Sequence, residues 1–158
     1  MIPLFVWLCA CAAARPPPDP GGRPGGTPVA RPSPPPVPRP RALFDRLGGR
    51  PAIDALAGAL VQEITSDERI NAPFAMTDLA SLRRSFADFL CARTGGPCVW
   101  HGRDLRAIHE GMGITGAQFG VFIEDLARVL DRLGARAGEK QDMIETLGAL
   151  RGQIVEAP

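Results

Sequence analysis

Proline is spread so unevenly along this 158-residue chain that it divides the sequence before any hydrophobic pattern is read: twelve of the seventeen prolines fall between Pro16 and Pro40. Residues 15–41 read RPPPDPGGRPGGTPVARPSPPPVPRPR and hold almost nothing that could be buried. Proline withholds its N–H and fixes φ, and glycine raises chain entropy, so neither builds a core. The segment reads as a tether, extended where proline dominates and flexible at the Gly-Gly pairs. A PxxP ligand for some partner is the alternative reading. From Ala42 to Pro158 about 117 residues remain, enough for one small core.

Ahead of the tether, residues 1–14 (MIPLFVWLCACAAA) are apolar and uncharged. A helix that spans a bilayer needs about 20 apolar residues, so this run is too short. It resembles the apolar core and cleavage region of an export signal. Leu8-Cys9-Ala10-Cys11 resembles a bacterial lipobox, with Cys11 as the lipidated residue. That reading makes the leader a membrane attachment and places the folded part at the cell envelope, lipid-anchored or periplasmic. No Lys or Arg precedes the run, and the alternative is an apolar tail on a cytoplasmic protein. A formal net charge of +1 makes no case for nucleic acid or an anionic surface as the main partner.

Beyond Ala42 the apolar residues recur at helical spacing. Ile53, Leu56, Leu60 and Ile64 form one stripe, with Pro51 where a first turn tolerates it. Asp78 reads as the N-cap of a second helix with the stripe Leu82, Phe86, Phe89 and Leu90. Thr94-Gly95-Gly96-Pro97 stops it. A short helix then carries Leu105, Ile108, His109 and Met112 on one face. Thr115 and Gln118 read as a capping box for a long helix through Phe119, Phe122, Ile123, Leu126, Val129, Leu130 and Leu133, which ends at Gly134. A last helix bears Met143, Leu147, Leu150 and Ile154. No stretch reads as a strand, so the predicted fold class is all-α.

His109 is the candidate ligand. It shares an interior face with Leu105, Ile108 and Met112, and a neutral imidazole is the commonest protein metal ligand. Read alone, such a histidine also fits the commoner case of a core residue hydrogen-bonded to a carbonyl. His101, the only other histidine, falls in a polar loop beside Gly102 and reads as a surface residue. HExxH, CxxC pairs and phosphate-binding loops are absent. Asp88, Glu124 and Asp125 fall on the polar sides of their helices and read as solvated. Cys91 and Cys98 bracket the turn after the second long helix. In an oxidising compartment they could close a disulfide worth roughly 2–3 kcal/mol; otherwise they are two reduced thiols.

LFDRLGG at 43–49, TGGP at 94–97 and HEGMGIT at 109–115 stand at spacings by which Leu43 to Val155 resembles the group 1 truncated haemoglobins. LFDRLGG at 43–49 resembles the family's opening segment, and Pro73-Phe74 resembles the stretch whose phenylalanine stacks on the haem. TGGP at 94–97 followed by WHGRDLRAIHEGMGIT at 100–115 resembles its proximal segment, in which the histidine before G-x-G-I-T ligates iron. The resemblance implies a two-over-two helical sandwich around haem b, with His109 on the metal. It implies that Phe74 packs on the haem face, and that Leu105, Ile108, Phe119 and Leu147 line the proximal and buried sides. Leu82 and Phe86 would cover the distal face, with Leu60, Val61 and Leu90 behind them. Arg83 and Arg84 would meet the propionates.

The sequence departs from the family where gas chemistry is tuned. A tyrosine on the second helix and a glutamine on the next usually hydrogen-bond dioxygen at the iron; here Val61 and Phe86 stand there, and no tyrosine occurs in the chain. Ser85 and Arg84 are near in sequence, but the helical period is expected to turn them off the stripe. The implied function is reversible binding of a diatomic gas, oxygen or carbon monoxide or nitric oxide, at a pentacoordinate iron in an apolar distal pocket. The alternatives are a haem redox enzyme with a reductase partner, either a nitric-oxide dioxygenase or a weak peroxidase, and a haemless interaction module.

Overall fold

The computed structural model describes residues 41–157. The expected leader, Cys11 and all of the tether but Arg41 lie outside the described residues. Helix α1 (Leu43–Leu47) and α2 (Gly49–Ser66) meet at a turn on Gly48. A 3-10 turn at Ala72–Phe74 leads into α3 (Leu79–Arg93). Short α4 (Leu105–His109) is followed by α5 (Gly116–Arg132), α6 (Ala137–Gly148) and α7 (Arg151–Ile154). No named strand occurs among the described residues; Thr115 and Ala157 form an isolated bridge.

The starts of α3, α4 and α5 follow from side chains that satisfy the free N–H groups of a first turn. The Asp78 carboxylate accepts from the N–H groups of Ala80 (3.0 Å) and Ser81 (3.3 Å). Asp104 does the same for Arg106 (3.0 Å) and Ala107 (3.3 Å). At α5 the capping box is complete: Gln118 N–H donates to Thr115 Oγ1 at 3.2 Å, and Thr115 N–H to Gln118 Oε1 at 2.9 Å.

Two helix pairs make the body. α2 packs along α3, and α5 packs along α6 while also crossing α2. Ile53, Leu60, Leu90, Leu126 and Met143 are wholly buried where these helices meet. Arg50 reinforces the first pair, donating to Asp54 on its own helix (2.8 Å) and to Asp88 on α3 (2.7 Å).

Two sequence expectations change, and one left open is decided. The last helix is two, α6 and α7, separated at Ala149–Leu150, and Leu150 is buried at the bend. Asp125 is not solvated but wholly buried, because its position on α5 faces the C-terminal end of α2. There Arg128 pairs with it, and the same guanidinium reaches Glu63 at 3.3 Å and Asp67 at 3.7 Å. Burial pushes the Asp125 carboxyl up, against the pull of Arg128. Cys91 and Cys98 form a disulfide, the oxidised of the two states the spacing allowed.

Candidate cofactor site

Between the helix pairs lies a cavity of about 380 Å³. It falls within the ~300–1,000 Å³ usual for cofactor pockets. All eight candidate residues line it. Leu82 and Phe86 come from α3, and the 3-10 turn presents Phe74. Leu105, Ile108 and His109 come from α4, Phe119 from the first turn of α5 and Leu147 from α6. Val61 joins them from α2, whereas Leu60 and Leu90 lie wholly buried in the core behind the wall.

His109 is half-buried, and its Nδ1 lies 2.7 Å from the carbonyl oxygen of Leu105 one turn earlier. A carbonyl only accepts, so Nδ1 is the donor here, and in the neutral imidazole Nε2 is the nitrogen that carries the lone pair. The two readings of this histidine therefore coincide: the carbonyl contact that would satisfy a core residue is also what orients a ligand. Among the described residues no group of three or more His, Cys, Asp and Glu could hold a bare metal ion. A single imidazole on an apolar wall suits a metal that brings its own equatorial nitrogens. The residues present thus fit a haem.

The loop after His109 is held from the far end of the chain. The Glu156 carboxylate accepts from the N–H groups of Gly111 and Gly113, each at 2.6 Å. Both glycines have positive φ (82° and 64°), the region that brings alternate N–H groups to one anion and penalises a Cβ. The G-x-G after the histidine is thereby a backbone clamp. Glu156 lay beyond any motif, and nothing in the sequence pointed to it.

The polar side chains on the cavity wall are few: Thr77, Ser85, Gln118, Trp100 and His109. Ser85 corrects the expectation that it turns away. It stands three residues after Leu82 and four before Phe89, both on the wall, so the helical period includes it at the solvent edge. Arg84 is exposed and donates to Ser81 Oγ at 2.9 Å, and neither it nor Arg83 lines the cavity. His101 is exposed, as expected. Trp100 was not anticipated. It lines the cavity and stands edge-on to Phe89 with ring centroids 5.1 Å apart. Its indole N–H is buried with no partner among the described residues.

Comparison with known proteins agrees with this geometry. A family model described as bacterial-like globin matches residues 42–156. The group 1 truncated haemoglobin of Synechocystis is 31% identical over 114 residues, covering 70% of this chain and 89% of that one. The one from Mycolicibacterium paratuberculosis is 30% identical over 111 residues, covering 70% and 79%. The crystal structure of the truncated haemoglobin of Tetrahymena pyriformis in its Fe(III) form is similar with a TM-score of 0.70 at 26% identity, covering 73% of this chain and 98% of that chain. Fold and site together define a haem-binding globin, built as a two-over-two helical sandwich. Within that class the chain belongs to the bacterial-like globin family, alongside the group 1 truncated haemoglobins.

Proposed function

We propose that the protein reversibly binds a diatomic gas at a pentacoordinate haem b whose protein ligand is His109. The observation that carries the reading is the His109–Leu105 hydrogen bond, which engages Nδ1 and leaves Nε2 as the nitrogen available to a metal on a residue that lines the cavity. Haem supplies an iron with one coordination position open to a small ligand. Around it, this chain's residues orient and exclude. Leu105 fixes the imidazole tautomer; Phe74, Leu82 and Phe86 offer apolar contact; Phe119, Ile108 and Leu147 close the buried end. Val61 and Phe86 offer no hydrogen-bond donor, which favours binding and release over chemistry that must break an O–O bond.

Absorption spectra test the ligand assignment. The purified protein is expected to show a Soret band, and His109→Gly to lose its ferrous five-coordinate spectrum and regain it with added imidazole. An unchanged ferrous spectrum in His109→Gly refutes the assignment. A lipid anchor at Cys11 and an extracytoplasmic location are the companion proposal. The Cys91–Cys98 disulfide supports it, because such bonds persist in oxidising compartments. Mass analysis of the mature N-terminus tests it, and an intact Met1 on a cytoplasmic protein refutes it.

A further inference from the structure

The cavity wall between α3 and α4 is a strap with one covalent fastening. Gly96 N–H donates to Cys91 O at 2.8 Å, and regular bonding resumes only at Asp104 O, which accepts from Ile108 N–H at 3.1 Å. Residues 97–103 between them make no backbone hydrogen bond among the described residues. Two things hold the strap. One is the Cys91–Cys98 disulfide. The other is Trp100, whose ring stands on Phe89 and whose N–H has no partner among the described residues. Gly102 lies so close to the indole that a Cβ there would fall 2.2 Å from it. The strap thus seats a cavity-wall side chain by packing alone, and runs directly into the N-cap of the helix that carries His109.

We propose that the Cys91–Cys98 disulfide is a redox latch on the haem cavity, opened by a dithiol reductant. The inference rests on the haem reading above. Cys91 is wholly buried and Cys98 half-buried, so an incoming thiolate meets Cys98 Sγ and the Cys91 thiolate leaves and takes up a proton. The second thiol of the reductant then attacks its own sulfur in the mixed disulfide and displaces the Cys98 thiolate. The exchange is balanced: the dithiol becomes a disulfide, and Cys91 and Cys98 gain two electrons and two protons. Arg50 Nη1 lies 3.5 Å from Cys98 Sγ, placing a guanidinium beside the thiolate as it departs. Once the bond is open, no covalent tie holds the strap, and it keeps only non-covalent contacts such as Trp100 on Phe89 and Arg50 beside Cys98. The wall loosens, and so does the N-cap of α4.

The test compares ferric holoprotein of the natural chain with Cys98→Ser, each mixed with excess haem-free myoglobin while Soret transfer is followed. Cys98→Ser is expected to lose haem about tenfold faster or more, as expected for releasing a short cross-linked loop. The natural chain reduced with dithiothreitol should match the variant, and it serves as the test by itself if the variant does not fold. Equal rates in the oxidised and opened forms overturn the latch. Absence of a Soret band from every form would mean that the haem reading fails, and amide exchange over residues 97–104 then decides the latch. Faster exchange on opening the bond supports it; unchanged exchange overturns it.

Discussion

Putting a donor back on the apolar wall isolates what sets the gas chemistry. Val61 is 3% exposed on α2, and neither it nor its cavity neighbours Leu82 and Phe86 can donate a hydrogen bond. The hydroxyls that line the cavity belong to Thr77 and Ser85, both solvent-exposed residues, for which water competes. Dioxygen at a ferrous haem carries partial negative charge, and a hydrogen bond to a charged group is worth roughly 1.5–3 kcal/mol. At about 1.4 kcal/mol per decade, Val61→Tyr is expected to slow oxygen release by about 10- to 100-fold. Phe86→Gln should act in the same direction. Carbon monoxide is less polar when bound, and its release should scarcely change. The larger ring costs about 1–3 kcal/mol of overpacking, which lowers the midpoint of unfolding without touching the ratio of the two gases. Stopped-flow oxygen displacement and carbon monoxide replacement on ferrous protein measure both rates. Unchanged oxygen release in a Val61→Tyr protein with intact haem refutes the reasoning. So does slow release from the natural chain that Ser85→Ala accelerates, since Ser85 would then be the donor.

Glu156→Gln removes a charged acceptor from the Gly111 and Gly113 N–H groups, and should cost about 1 kcal/mol of stability in urea unfolding while speeding haem loss; an unchanged haem-loss rate would show that the clamp does not position His109. Leu126→Ala empties a wholly buried position between α2, α5 and α6 and should cost about 3 kcal/mol, with a loss below about 1 kcal/mol contradicting the packing described. The hydrogen bonds from Arg69 hold the Asp67 carboxyl at about 2, below its ordinary 3.8, so its contribution to stability is present above that ordinary value and is lost as pH falls toward 2. Asp67→Asn should therefore flatten the decline of Tm between about pH 4 and pH 2, and an unaltered acid limb would exclude Asp67 from it.

Much of the molecule is legible without coordinates because helices carry local signatures. The stripes of α2, α3 and α5, the Asp78 N-cap and the Thr115–Gln118 box depend on residues within one or two turns of each other. Seven of the eight candidate residues lie on such stripes, but the resemblance to a known family is what implied that they, and Phe74 off any stripe, surround a haem. Ser85 was misplaced because it sits at the edge of a stripe, where the period alone does not separate cavity from solvent.

What the sequence by itself determined is therefore local: an all-helical body after a proline-rich segment, the caps, the stripes and a histidine on an apolar face. Tertiary structure alone decided the rest, because those contacts join residues far apart in the chain. Asp125 is buried because α2 lies against it, and Glu156 clamps the loop after His109 across 43 and 45 positions. Trp100 becomes a wall of the cavity because the strap closed by Cys91 and Cys98 lays it on Phe89. Such partners leave no periodic trace, since the energy that selects them arises only when the helices have already met.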